Sequence, residues 1–272
     1  MLNRRWPRMA KVSVGKHTLA LPNLGLKAEP EVRRVLDALA NVEIHVQFDA
    51  RPLWQQAELD IREGPRWPTT IESAPALARF AKNLPNALHA LKDEGGEVWA
   101  RVIERARLGL GPEVTDFKFP LAGRGRIELS VVMTNGWTLP ADSLSEGQLT
   151  YLSCIALMEL HPTRSVLAFD EPETHLHPTL LARVVGMFEE ASATCPVILA
   201  THSDRLLDAL ADPAGSVVLC DLDERHAARL RRPDRAALDE WLESYRGLGS
   251  LRAEGYASHV FHSALGPAEE AP

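Results

Sequence analysis

Two adjacent acids, Asp170 and Glu171, follow an uninterrupted run of four apolar residues at 166–169 and precede Pro172. Such a run is typical of a central parallel strand covered on both faces, because a strand with one wet face usually alternates apolar and polar residues. Ligands of open α/β sheets bind at the carboxyl ends of parallel strands. Two carboxylates there are suited to holding Mg²⁺ and polarising water, so this stretch predicts an α/β fold with a site at the strand end.

Two other stretches suit the same site. The first is Leu-Ser-Glu-Gly-Gln at 144–148, in which Ser145 and Gln148 have the spacing of a helix capping box. A helix N-terminus flanked by serine and glycine also attracts anions. The second is Val-Ile-Leu-Ala-Thr-His-Ser at 197–203, whose apolar half predicts a strand that ends just before His202. We expect this strand to lie parallel to 166–169, with a helix as the right-handed connection.

These three stretches, in this order, resemble the signature loop, the Walker B motif with its catalytic glutamate, and the switch histidine of ATP-binding-cassette (ABC) ATPases. The run Asp-Glu-Pro-Glu-Thr-His-Leu-His-Pro at 170–178 narrows the resemblance to AAA-family ATPases of the SMC/OLD-like branch, which are related to RecF. The resemblance covers about residues 40–256 and is most specific at 142–210. It implies the C-terminal lobe of an ABC-type P-loop ATPase, with a mostly parallel sheet flanked by helices, a helical subdomain and a β-hairpin.

The resemblance also implies a role for each motif residue, with ATP and Mg²⁺ as cofactors. Asp170 would hold Mg²⁺, Glu171 would act as general base or orient the attacking water, and His202 would contact the γ-phosphate. Three signature residues would face outward and contact ATP bound to the opposite subunit of a dimer: Ser145, Gly147 and Gln148. The missing side chain of glycine would let the backbone approach a phosphate closely.

Simpler interpretations exist for each motif. The two acids could form a solvated turn, the serine loop could be an ordinary helix start, and the histidine could be structural. His175 and His177 suggest zinc, but the sequence offers no third ligand, and a loop at a dimer interface that includes Glu173 fits better. Five arginines interrupted by acids suggest a solvated face, or alternatively a nucleic-acid contact: Arg225, Arg229, Arg231, Arg232 and Arg235.

The sequence contains no P-loop, which requires Gly-x4-Gly-Lys-Ser/Thr between a strand and a helix. The one Gly-Lys pair, at 15–16, has Ala10 in place of the first glycine and His17 in place of the hydroxyl residue. A misplaced start or broken gene, a P-loop supplied by a separate chain, and a degenerate subunit that serves an intact partner would each explain this. In every case we expect the chain alone to bind ATP poorly.

Two functions are therefore compared. The first is an ATPase core that works as a homodimer, or as a heterodimer with a P-loop-bearing chain, in DNA repair or phage defence. The second is a binding or regulatory subunit without turnover that lends its signature loop to a partner. A transporter subunit is a weaker alternative, because transporters usually have Leu-Asp after the glutamate in place of His-Leu-His-Pro.

Composition limits the remaining classes. The formal net charge of −7 over 272 residues argues against a protein that coats nucleic acid. Cys154, Cys195 and Cys220 have no Cys-x-x-Cys spacing and lie among apolar residues, so we expect buried free thiols in a reducing compartment. No apolar run is long enough to span a bilayer, and the basic start lacks the apolar core of a signal peptide. These features predict a cytoplasmic protein without membrane contact.

Four segments are expected: a partial N-terminal ATPase segment at 1–70, a helical subdomain at 71–113, an ATPase lobe with the motifs at 114–230, and a helical tail at 231–272. Within the first, we expect a helix from Pro30, a half-buried strand at 42–48 and a loop at 50–73. Two helices should lie between 74 and 107, separated by Gly95-Gly96, with Leu77, Phe80 and Ala81 in the first.

Strands at 117–121 and 127–133 should form a hairpin, with a second tight turn at Asn135-Gly136. Helices are expected after Ser145, from Pro178 to about 193, and after a Ser203 cap. The last strand is predicted at 217–220, followed by a tail helix whose apolar face extends to Tyr245.

Overall fold

A computed structural model describes residues 30–53, 55, 64–160, 163–223 and 225–261. The elements as far as the signature region are α1 Pro30–Ala40, β1 Val42–His45, β2 Thr69–Thr70, α2 Leu84–Glu94, α3 Gly96–Leu110, β3 Val114–Lys118, β4 Arg126–Ile127, β5 Ser130–Met133 and β6 Thr138–Pro140. The remaining elements are α4 Glu146–Glu159, β7 Val166–Asp170, α5 Pro178–Ser192, β8 Val197–Ala200, α6 Asp204–Asp208, α7 Pro213–Ser216, β9 Leu219–Leu222, β10 Ala228–Arg231, α8 Arg235–Leu242, α9 Leu248–Ala253 and α10 Ala257–Val260.

A parallel sheet of three strands, in the order β1-β7-β8, organises the fold. The two apolar runs are neighbours in it, with Phe169 opposite Leu199, and α5 connects them as predicted. Phe169 is buried and lies near three other rings, those of His45, Phe48 and Phe188. The predicted α/β class with a parallel sheet and flanking helices is confirmed.

Helix α4, which follows the Ser145 cap, forms the centre of the main core. Its residues from Leu149 to Glu159 are all buried, so the helix is enclosed on every side rather than packed on one stripe. The helical hairpin of α2 and α3 contributes Leu88 and Val102 to the same core. At the far end of α4, the buried Glu159 carboxylate accepts from Arg101 and lies 3.2 Å from Arg105. The hairpin is therefore held to α4 by apolar packing and by ion pairs.

The start of this hairpin differs from the prediction. Leu77, Phe80 and Ala81 precede the helix, and the last two lie in a short 3-10 turn where Phe80 has φ 60°. The Asn83 side chain explains why the helix starts later than predicted, since its Oδ1 accepts from the Ala78 backbone and its Nδ2 donates to the Ala76 carbonyl. These bonds stabilise a turn and leave the helix to begin at Leu84.

The predicted hairpin strands also differ from the prediction, since the first is shifted and the second is shorter. β3 pairs with β5 in antiparallel fashion, with Phe117 opposite Val131, but β3 begins earlier, at Val114. The segment 127–133 is not one continuous strand, because β4 pairs with β2 in a separate small sheet. Strand β2 lies within the stretch 50–73, which was predicted as a loop. The turn at Asn135-Gly136 is confirmed, with Gly136 at φ 83° between β5 and β6.

One face of the parallel sheet carries exposed isoleucines, and none of the described elements covers it. Ile44, Ala168 and Ile198 are register partners in one row across the three strands. Ile44 is 68% exposed and Ile198 is 58% exposed, although a parallel sheet is normally covered on both faces. The strand predicted at 42–48 spans only 42–45, and its apolar residues point outward. Contiguous exposed apolar residues of this kind are a candidate interaction surface.

The inward side of β1 is polar for a specific reason. Glu43 forms an ion pair with Arg164, and its Oε1 lies 2.7 Å from Nε2 of the buried His45. Burial opposes ionisation of Glu43, but the hydrogen bond from His45 and the charge of Arg164 outweigh it, so its pKa lies below the usual value. The period of two identified the strand correctly, but these paired side chains reversed its faces.

The tail has its own small core, built from α6 and α8 to α10. Its buried residues are Leu207, Leu238, Leu248, Leu251, Val260 and Phe261. The prediction that the last strand spans 217–220 is wrong, since β9 starts at Leu219 and pairs with the later β10. Helix α8 ends at Leu242, so Tyr245 lies beyond it and contacts the Trp241 ring at 5.7 Å between centroids.

The cysteines give a direct test of this packing. Cys154 and Cys195 are buried as predicted, whereas Cys220 on β9 is exposed, contrary to the prediction. Burial raises the pKa of the Cys154 thiol to about 12, and the thiolate is the reactive form. We expect iodoacetamide at pH 8 to modify Cys220 quickly and Cys154 only after unfolding, as read by peptide mass spectrometry. Rapid labelling of the folded Cys220→Ser variant would contradict this packing.

Candidate functional site at the ends of two parallel strands

The strands β7 and β8 end side by side and bring two of the three motifs together. Asp170 is the register partner of Ala200, and the Glu171 N–H donates to the Ala200 carbonyl at 2.8 Å. The two acids and the Thr201-His202 pair therefore leave the sheet at the same edge. The predicted neighbourhood of these motifs is thus present at the level of the backbone.

Glu171 has an unusual backbone conformation. Its φ is 51°, in the left-handed region, and both Asp170 and Glu171 are exposed. Holding a residue other than glycine in this region costs about 1–3 kcal/mol of backbone strain, and such residues concentrate at functional sites. The turn closes by a bond from the Thr174 N–H to the Glu171 carbonyl at 3.2 Å, and His175 follows with φ 66°. The chain thus turns sharply after β7 and presents both carboxylates to solvent.

The signature loop forms the predicted capping box. The Ser145 hydroxyl accepts from the Gln148 N–H at 3.2 Å, and the Gln148 side chain accepts from the Ser145 N–H at 2.9 Å. Ser145 is exposed, as expected of a residue that faces outward. The first turn of α4 is therefore fixed while its serine stays accessible.

The signature loop contacts the loop that follows the acids. Glu146 Oε2 lies 2.8 Å from Nδ1 of His175. A Cβ on Gly147 would lie 2.6 Å from the His175 carbonyl oxygen, so only glycine fits there. The missing side chain of Gly147 thus serves an internal contact, and its approach to a phosphate stays a prediction. These two contacts connect the first motif to the second within one chain.

His202 lies in a turn whose backbone is held from both sides. Thr201 Oγ1 donates to Glu173 Oε1 at 2.5 Å and accepts from the Ser203 N–H at 2.9 Å. Ser203 then caps α6 through the Leu206 N–H, as predicted. The His202 side chain is exposed, and among the described residues it has no hydrogen bond or ion pair. A fixed backbone with a free imidazole is suited to contacting a ligand.

A family model covering just over half of the chain matches residues 65–208, and its description is "AAA domain, putative AbiEii toxin, Type IV TA system". The match includes all three motifs. The chain belongs to this AAA family. The motifs and this match agree on an AAA-type domain. No curated protein matches the chain by sequence.

Solved SMC heads are structurally similar to this AAA chain. An SMC ATPase from work on ATP-driven dimerization and DNA-stimulated activation has 14% identity and a TM-score of 0.42, over 58% of this chain and 96% of its own. The Smc head with coiled coil and joint from Pyrococcus yayanosii has 15% identity and a TM-score of 0.40, over 54% and 28%. The Smc head from Pyrococcus furiosus, bound to the C-terminal domain of ScpA, has 15% identity and a TM-score of 0.39, over 54% of this chain and 37% of its own.

The donor set of this AAA site fits Mg²⁺ that arrives with a nucleotide. Mg²⁺ in phosphoryl-transfer sites takes one or two carboxylates and completes its shell with phosphate oxygens and water. Asp170 offers one exposed carboxylate at the end of β7. Across the described ranges, no group of three His, Cys, Asp or Glu side chains is placed to hold a metal unaided, and this applies to His175 and His177 as well.

The two main clefts among the described residues lie away from the AAA motifs. One cleft of about 330 Å³ lies between α3, α4 and α5, and another of about 530 Å³ lies beside α2. Neither is lined by Asp170, Glu171, His202 or Ser145. The Gly15-Lys16 pair lies outside the described residues. The acids, the histidine and the Ser145 loop are thus separate from both clefts.

Two arginines near the motifs were not predicted from the sequence. Arg66 is buried and donates to the carbonyls of Ala50, Ala141 and Asp142, at 2.8, 3.1 and 3.0 Å. Burial lowers the pKa of its guanidinium, and the bonds fix the turn that leads into the signature loop. Arg252 in the tail donates to the His202 carbonyl at 2.7 Å. No local pattern marks either residue, because their partners are distant in sequence.

The five-arginine set is largely committed to the chain itself. Arg231 and Arg235 form ion pairs with Asp221 and Asp212, and Arg229 lies 3.8 Å from Asp223. Arg232 donates to the Gly215 carbonyl at 3.0 Å. These pairings agree with the solvated-face interpretation.

None of the helices in the described ranges is both long enough and apolar enough to cross a membrane.

Proposed function

We propose that this chain is the C-terminal part of an ATP-hydrolysing site that is completed by a P-loop from another polypeptide segment. In this site Asp170 holds Mg²⁺ bound to ATP, Glu171 orients or deprotonates the attacking water, and His202 contacts the γ-phosphate. ATP supplies the phosphoryl group, and Mg²⁺ neutralises charge on its phosphates. Ser145 and its neighbours contact nucleotide bound to a second subunit of a dimer.

The observation that carries this proposal is the junction of β7 and β8. Glu171 and His202 emerge from adjacent strand ends linked by the bond from the Glu171 N–H to the Ala200 carbonyl. A water and a terminal phosphate must both be reached for hydrolysis, and adjacent strand ends provide such a meeting point. The strained φ of Glu171, which no packing of its exposed side chain explains, adds independent support.

The P-loop segment has a natural place beside β8. Within the described residues β8 pairs only with β7, so its outer edge is open, and Ile44 and Ile198 lie uncovered on the same sheet. A further parallel strand there would end next to His202 and bring its carboxyl-terminal loop to the γ-phosphate position. The same segment would cover the apolar face, which accounts for the exposure of both isoleucines.

This placement predicts the effect of charge on the uncovered face. We expect the Ile44→Asp and Ile198→Asp double variant to remain folded, with a stability change within about 1 kcal/mol per site, because both side chains are exposed. It should lose activation by a P-loop-bearing N-terminal segment of another member of this AAA family, since two carboxylates would be buried at the contact. Circular dichroism and ATP hydrolysis in the mixture measure the two effects.

The matched control is Leu121→Asp, which changes an apolar residue 76% exposed on a different surface. It should be activated as well as the unmodified chain. Equal activation of the double variant and this control would show that the P-loop segment binds elsewhere.

The alternative is a subunit without turnover that lends its signature loop to an intact partner. The exposed, capped Ser145 favours this reading as much as the first, because it needs only an accessible helix start. The two proposed functions differ in which substitution abolishes ATP hydrolysis. In a partner-activating subunit Ser145→Arg abolishes stimulation and Glu171→Gln is neutral, whereas in a complete hydrolysing site Glu171→Gln abolishes turnover.

We assign the cellular task to phage defence or DNA repair, with defence preferred because the family description names an AbiEii toxin. Three free thiols agree with a reducing, cytoplasmic setting. Direct nucleic-acid binding by the tail arginines is the less favoured option, since most of them already have partners in the chain.

A further inference from the structure

The tail is joined to the turn that carries His202 by one bidentate side chain. Arg252, on α9, donates from Nη2 to the His202 carbonyl at 2.7 Å and from Nε to Asp204 Oδ1 at 2.6 Å. The planar guanidinium fork can serve both acceptors at once, which a lysine cannot do. The turn after β8 is therefore held at its backbone by a residue 50 positions later in the chain.

The position of α9 against α6 leaves Arg252 little freedom to move. A Cβ on Gly249 would lie 1.8 Å from the Asp204 carbonyl oxygen, so the two backbones are in close contact there. Ser250 donates from its N–H and its hydroxyl to the Asp208 carboxylate, at 3.0 and 2.9 Å. These contacts join the start of α9 to both ends of α6. They fix the register in which its guanidinium reaches the turn.

A simple surface ion pair does not account for this arrangement. The side chains of Arg252 and Asp204 are each about one-third exposed, and such a pair alone contributes little to stability. The second bond goes to the backbone of His202, whose imidazole is exposed and unpaired among the described residues. On its other side, the turn is tied to Glu173 through Thr201. His202 is thus held between the acid loop and the tail.

We propose that Arg252 is a positioning residue that sets the orientation of the His202 peptide, and so the direction of its imidazole, from the C-terminal tail. The importance of this positioning rests on the proposed function, because only a histidine that contacts phosphate needs such alignment. The tail then has a role in the site without contacting substrate. Any change that moves α9 would be transmitted to His202 through two hydrogen bonds.

Nuclear magnetic resonance of the full-length, histidine-labelled chain tests this without nucleotide. The signal of His202, one of ten histidines, is assigned by its loss in His202→Asn. In Arg252→Ala we expect the imidazole signal of His202 to shift and amide exchange at 202–206 to rise at least about tenfold, as a lost charged hydrogen bond implies. Arg252→Lys should recover part of both effects, because one amine can keep one acceptor.

The matched control is Arg246→Ala, which removes an exposed tail arginine with no ion pair among the described residues and should leave the His202 signal unchanged. An unchanged His202 signal in Arg252→Ala would overturn the proposal, as would an equal shift in Arg246→Ala. A lower melting temperature with native His202 behaviour would likewise overturn it, by leaving Arg252 a purely structural role. Since no readout uses ATP, a failure of the proposed ATPase would be seen separately, as absent hydrolysis with a positive resonance result.

Discussion

The purified chain alone is expected to hydrolyse ATP no faster than background, and addition of a P-loop-bearing segment should raise the rate at least about a thousandfold. Phosphoryl transfer depends on positioning and on charge neutralisation around the β- and γ-phosphates. Asp170 and Glu171 alone would repel a triphosphate, because both are anionic and exposed. The backbone N–H groups and the lysine of a P-loop would bind the phosphates and offset this repulsion. Phosphate release is measured with the chain alone and with the segment fused ahead of Met1.

Two variants make this result specific. Glu171→Gln in the fusion should abolish turnover and keep nucleotide binding, since the amide preserves size but cannot accept a proton. Asp142→Asn, an exposed acid close to the signature loop, serves as the matched control and should retain activity. Substantial hydrolysis by the unfused chain that Glu171→Gln removes would mean that residues 1–272 already contain a phosphate site.

Replacing Phe169 by alanine should lower the free energy of unfolding by about 3–5 kcal/mol, a large part of the stability of an ordinary domain. Phe169 is 2% exposed, and its ring lies 5.1 Å from Phe48 and 5.8 Å from Phe188. The cavity would open directly beneath Asp170, so the site should loosen together with the core. Urea denaturation followed by circular dichroism measures the loss.

The control for this substitution is Trp137→Ala, another aromatic truncation, at a residue 73% exposed on the β5–β6 turn. It should change stability by no more than about 0.5 kcal/mol. A loss below about 1 kcal/mol at Phe169 would show that the aromatic cluster around β7 is not a principal part of the core.

The parts of the fold that followed from sequence are those encoded locally. The apolar runs at 166–169 and 197–200, the Ser145 capping box and the Asn135-Gly136 turn each depend on residues within a few positions of one another, and each is present. The boundaries of the four segments expected at 1–70, 71–113, 114–230 and 231–272 stay predictions. The same holds for the roles of the site residues, which depend on ligands and partners.

The errors arose where distant partners decided the outcome. Periodicity located β1, but the ion pair of Glu43 with Arg164 turned its polar residues inward. The 3-10 turn before α2 is the exception, because it follows from a local bond between the Asn83 side chain and the Ala78 backbone. Cys220 lies in an apolar stretch yet is exposed, because within the described residues β9 pairs only with β10 in a two-stranded sheet. Arg66 and Arg252 act on the motif loops across long sequence separations, which no local pattern could have indicated.

The left-handed backbone at Glu171 bears on whether this chain is a decaying relic. Glycine would adopt that conformation without strain, and asparagine would do so at lower cost than glutamate. A sequence drifting free of catalytic demand, under selection for folding alone, would gain stability by exchanging the glutamate for either residue. This chain has an acid at φ 51°, on an exposed site where the side chain contributes nothing to the core. A strained glutamate at the strand end is what a lobe in use requires, and the remnant of a broken gene does not require it.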